Sequence, residues 1–173
     1  MEYRIRFIIS IVIVAVIVLF ISFFSSRNGL IDLREDVEMQ QSQIETTLQR
    51  RSDLIPNLVE TVKGYTAHEN EVFTSIAEAR TKLAESINSG NLSSISEASA
   101  SLDSALGRLI AIAEDYPELK ASEQFIALQD ELAGTENRIA VARQYYNEKV
   151  RTYNTAVQRF PTSIVASMSG FYP

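Results

Sequence analysis

The stretch Phe7 to Phe24, FIISIVIVAVIVLFISFF, is an apolar run interrupted only by Ser10 and Ser22. As a helix rising ~1.5 Å per residue it is about 27 Å long, close to the ~30 Å hydrocarbon core of a bilayer, and it holds no charge. In lipid each unpaired backbone group costs several kcal/mol, so a lone span is α-helical even when rich in Ile and Val. The run therefore predicts one transmembrane helix over 7–24 behind a short flank at 1–6. A cleaved signal peptide is the competing reading. It is disfavoured because the run exceeds the usual ~7 to 15 apolar residues and SFFSSRNG offers no small-x-small cleavage site. Arg4 and Arg6 precede the run and Arg27 and Arg34 follow it, a slight lean towards a cytoplasmic N-terminus.

Beyond the run there is room for one soluble domain with a core of its own. The chain carries 16 Lys+Arg and 22 Asp+Glu, and the excess of acid lies after the run. Such a surface argues against nucleic acid or anionic lipid as its main partner. With no cysteine, disulfides, thiol catalysis and cysteine metal sites are excluded, and with one histidine, His68, no His-based hydrolase constellation is available.

Outward from the run, Arg27, Asn28 and Gly29 read as a juxtamembrane break within 25–29. Leu30, Leu33, Val37, Ile44, Leu48, Ile55, Leu58 or Val59, and Val62 then recur at spacings of three, four and seven, which predicts a long helix over 30–63 that Gly64 caps. Pro56 falls inside it, removes one backbone hydrogen bond, and predicts a kink near Leu54 with Ser52 or Asp53 as a local cap; a complete break is the alternative. A second helix is expected over 67–87, a turn at Asn88 to Asn91, a third helix over 94–114 stopped by Asp115, Tyr116 and Pro117, and a fourth from Ser122 to Phe160, ended by Pro161. The last carries Phe125, Leu128, Leu132, Thr135, Ile139, Ala142, Tyr146, Val150, Tyr153, Val157 and Phe160 in near-continuous three-four alternation, a coiled-coil-like seam.

No strand pattern is present. The fold class expected is all-α: a single transmembrane helix followed by an antiparallel, up-down four-helix bundle over 30–160 with long first and last helices, then an apolar tail at 161–173. The first and last helices are longer than the middle pair, so their lower parts, Leu30 to about Ile44 and about Tyr146 to Phe160, should form a two-helix stalk. That geometry returns the tail to the membrane side.

Three stretches carry a family likeness: RRSDLIPNLVETVKGYTAHE at 50–69, EDYPELKAS at 114–122, and TENRIAVARQYYNEKVRTYN at 135–154 followed by Arg159, Phe160 and Pro161. They closely resemble the LemA family, with the same order of elements over nearly the whole chain and a late Gly170-Phe171. The resemblance implies a bacterial, single-pass protein of the cell membrane with a helical bundle, no established enzymatic activity and no established cofactor. Arg27, where the family usually has an aromatic, and Gln41, where it often has tryptophan, depart from the pattern.

Candidate chemistry is sparse. His68 with Glu69 and Glu71 lacks the second histidine of HExxH, since position 72 is Val, and a di-iron bundle needs two Glu-x-x-His units; a local structural role for the imidazole is favoured. Arg50, Arg51 and Asp53 ahead of Pro56 form a candidate partner or kink site, with solvated charges fixing the kink as the plainer reading. Arg138, Arg143, Lys149, Arg151 and Arg159 make the last helix basic against an acidic middle region; a solvated helix face is the plainer reading, with a part in helix register or an approach to lipid headgroups as the alternatives. Tyr146, Tyr153, Phe160, Ile164, Val165, Phe171 and Tyr172 are candidate oligomer or membrane contacts, the tail being too short for a second span; disorder of the tail is the alternative. The expected function is a non-enzymatic, membrane-anchored helical scaffold that self-associates. Its expected partners are the lipid bilayer and further copies of itself, with no nucleic acid, small-molecule substrate, metal or cofactor. An accessory or signalling subunit of another membrane protein, such as a membrane protease or sensor, is the alternative.

Overall fold

A computed structural model describes residues 2–66 and 69–173; Ala67 and His68, and with them the start of the helix expected at 67, lie outside the described residues. Among those described there is no strand, and the chain runs through six helices: α1 (Glu2–Lys63), α2 (Asn70–Ser89), α3 (Leu92–Glu114), α4 (Pro117–Lys120), α5 (Glu123–Gln158) and α6 (Thr162–Ser169).

Helix α1 is 62 residues long and passes through both places where an interruption was expected. The juxtamembrane break at 25–29 is absent. A helical glycine costs only about 1 kcal/mol, and Leu30, 1% exposed, is buried in the next turn. At Pro56 there is no break either, although a mid-helix proline costs ~3 kcal/mol. Ile55 and Leu58 are 1% and 0% exposed on either side of it, and burying each side chain is worth ~1.5 to 3 kcal/mol, enough to hold the helix across the lost hydrogen bond. The expected local cap does not form: Asp53 accepts from Gln49 Nε2 at 3.0 Å and Ser52 Oγ accepts from Arg80 Nε at 3.2 Å.

The chain divides into two compact units, a central one, Ser42–Ala142, and a terminal one that joins residues up to Gln41 with Arg143–Pro173. In the central unit α2 and α3 pack against each other across a tight turn. Gly90 makes that turn at φ 65°, and Asn91 then caps α3, its Oδ1 accepting from the backbone N–H groups of Ser93 and Ser94 at 3.0 and 3.2 Å. Ile76 and Leu83 on α2, Leu102 and Leu109 on α3, and Phe125 and Ile139 on α5 are almost fully buried. Asp115 to Pro117 does stop α3, but Pro117 also opens the short α4, which tucks Leu119 in at 0% exposure.

The terminal unit corrects the boundary drawn at 160. The tail is ordered and belongs with Leu30 and Val157, because Ala166 and Phe171 bury against them, with Ile31, Tyr153 and Ala156 partly buried at the edge. Gly170, at φ 76°, reverses the chain, and Phe171 N–H then donates to Ala166 O at 3.0 Å. This is the left-handed helix ending in which the residue after the glycine folds back on the last turn, and here both residues joined by that bond belong to the core cluster.

Candidate functional site

Two features stand out from the packed helices. The first is a charged cluster inside the central unit. Arg51, 8% exposed, sits on the buried face of α1 between Thr47 and Ile55, where the three-four spacing that places the apolar stripe also carries a guanidinium inward. Its Nη1 lies 2.8 Å from Asp103 Oδ1 on α3 and donates to Glu136 Oε2 on α5. A buried cation tolerates such a place only when paired, and the fork of the guanidinium suits two carboxylates. Both carboxylate side chains remain partly open, at 40% and 48% exposure, so solvent screens the pair. Arg50 points outward and pairs with Glu131 of α5 at 2.9 Å.

The four residues of the candidate kink site therefore separate. Arg51 ties three helices together, Arg50 and Asp53 lie on the surface, and Pro56 stays helical. Sequence spacing located Arg51 but not Asp103 or Glu136, because a single acidic residue on a helix carries no mark of the cation it will meet from another helix. Among the described residues no group of three His, Cys, Asp or Glu is placed to hold a metal ion, and His68 lies outside them.

The second feature is the seat of the tail in the terminal unit. Of the residues expected on an oligomer or membrane surface, Val165 and Phe171 are instead inside the chain's own core, 8% and 9% exposed. Tyr146 and Tyr153 are half-buried, and Tyr153 Oη donates to the Tyr172 carbonyl at 3.0 Å, pinning the chain end to α5. Phe160, Ile164 and Tyr172 remain exposed, as does Met168. Lys149 Nζ donates to Asp36 Oδ2 at 2.7 Å, joining α5 to α1. That hydrogen bond, and then the charge of Asp36, raises the Lys149 pKa above its ordinary 10.5.

The sequence model of the LemA family matches residues 40–173, which takes in the whole central unit and the seated tail. The chain belongs to the LemA family. Related LemA-family sequences include the magnetosome protein MamQ of Magnetospirillum gryphiswaldense, 28% identical over 167 aligned residues that cover 83% of this chain and 61% of that protein. Protein LemA of Metamycoplasma hominis is 27% identical over 146 aligned residues, covering 84% of this chain and 66% of its own. The chain thus spans about three fifths of the length of the magnetosome relative. The matched region includes Arg51, Asp103 and Glu136 together with Lys149 and α6, so the charged cluster lies wholly in the part that the LemA-family model describes, whereas the seat of the tail also uses Leu30 and Asp36, which precede it.

Proposed function

We propose that this LemA-family chain is a non-enzymatic, membrane-anchored scaffold: α1 crosses a bacterial cell membrane once through its apolar first third. The observation that carries the reading is the state of the first third of α1. It is long and apolar enough to cross a membrane, and none of its apolar window is covered by protein. Between Phe7 and Phe24 lie fifteen Phe, Ile, Val and Leu side chains. Leaving each in water forfeits ~1.5 to 3 kcal/mol, a total of about 20 kcal/mol or more. That exceeds the ~5 to 15 kcal/mol by which a domain is ordinarily stable, so the run needs an apolar solvent.

The element order and short connections within Ser42–Ala142 support an up-down, antiparallel arrangement of the two flanking helices with α2 and α3. Arg51 serves the scaffold by fixing the register of α1, α3 and α5, as a buried ion cluster does best when only one alignment pairs all its members. Exposed Met39 on α1 and Tyr145 on α5, at 57% and 53%, favour a second copy as their cover. Size measurement of the full chain in mild detergent tests this part. An oligomer that Tyr145→Asp reduces towards monomer is the expected result, and a wild-type monomer contradicts self-association.

A further inference from the structure

Helix α6 has three sides of different chemistry. At about 100° per residue, buried Val165 and Ala166 form one side, Ala166 packing with Leu30, Val157 and Phe171; Ser163 and Ser167 form another; Ile164 and Met168, 53% and 72% exposed, form a third roughly 100° from the serines. A helix end that needed only its own core would leave both open sides polar. Here one open side is polar and the other apolar.

The position of the docking partner says what covers the apolar side. Leu30 is six residues beyond Phe24, about 9 Å along α1. The headgroup layer on each side of the hydrocarbon core is about 5 to 8 Å deep, so a helix packed on Leu30 lies at its upper boundary. Arg151 and Thr155 on α5, Arg159 just beyond its end and Thr162 of α6 line one groove beside this helix, a lining of cations and hydroxyls suited to lipid phosphate. We infer that α6 is a second, monotopic membrane contact: it lies at the outer boundary of the headgroup layer, its Ile164 and Met168 side turned into that layer, with Arg151 and Arg159 at the phosphates. This rests on the reading of α1 as a span.

The absence of cysteine allows a clean test in the full chain. Single variants Leu19→Cys, Ile164→Cys, Met168→Cys and, as a water-exposed control on α3, Ala111→Cys carry an environment-sensitive fluorophore. They are reconstituted in phosphatidylcholine and phosphatidylglycerol vesicles whose lipids bear a nitroxide near the headgroup or in mid-chain. The expected result is preferential mid-chain quenching at 19, and headgroup-proximal quenching at 164 and 168 several-fold above that at 111. Quenching at 19 with 164 and 168 no different from 111 overturns the inference and leaves the span standing. Labels at 164 and 168 that are shielded but unquenched, and that become exposed on dilution with excess lipid, place a second copy there instead and also overturn it. No quenching at 19 removes the anchor itself, and the inference with it.

Discussion

The central and terminal units are built from the same two long helices yet are held in different ways. Ser42–Ala142 adds α2, α3 and α4 to its portions of α1 and α5, and buries leucines and isoleucines along its length around Arg51. The terminal unit has only α6 and a few residues after it to add, and its cluster comes down to Leu30, Val157, Ala166 and Phe171. The difference is one of how much apolar surface each can remove from water. A helix pair with little cover relies on a short seated segment, a capped turn and a charge pair, so its order depends on few groups, and its tail is the part expected to open first.

The contrast sets the order of the expected effects. Leu58→Ala, at 0% exposure in the central core, should cost about 2 to 5 kcal/mol in a denaturant titration of the full chain in detergent, because it leaves a cavity among packed helices. Phe171→Ala should cost about 2 kcal/mol but locally: amide exchange in α6 should accelerate markedly while that of α3 stays unchanged, and equal acceleration in both would erase the distinction between the units. Arg51→Ala should cost roughly 2 kcal/mol by leaving Asp103 and Glu136 without their shared cation, less than for a fully buried pair since both acids are partly solvated. Arg51→Met, which restores the apolar stem, should recover most of that stability and lose helix register instead, read as broadened amide signals.

The smallest effect concerns Lys149 and sharpens the account by its sign. Because its pKa is raised in the folded chain above 10.5, the contribution of its contact with Asp36 is complete below that value and is lost as pH climbs through the raised pKa. Stability of the wild type should therefore fall towards that of Lys149→Gln only in strongly alkaline solution. A difference between the two that instead disappears on acidification from pH 9 to pH 7 would contradict the assignment.

Much of the architecture was legible because periodicity reports burial. The three-four stripes located the four long helical stretches, and Asn91 and Gly90 marked the turn between α2 and α3 by chemistry that serves no other purpose there. What failed were the break at 25–29 and the alternative of a complete break at Pro56. Gly29 and Pro56 are weak helix formers, but neighbours whose burial depends on distant segments outweigh them, and no local rule contains those segments. The tail was misjudged for a related reason. Val165 and Phe171 looked like free apolar surface because the cluster that takes in Phe171 and Ala166 includes Leu30, more than 130 positions away in the chain. At the candidate site, Arg51 was legible and its two acids were not.

The central claim is that one uninterrupted helix takes this chain through a bilayer. Alkaline carbonate extraction of membranes from cells making either the full chain or a chain starting at Arg27 tests it most directly. The full chain should remain in the membrane pellet and the shortened one should be released while still helical by circular dichroism; release of the full chain into the supernatant would contradict the account.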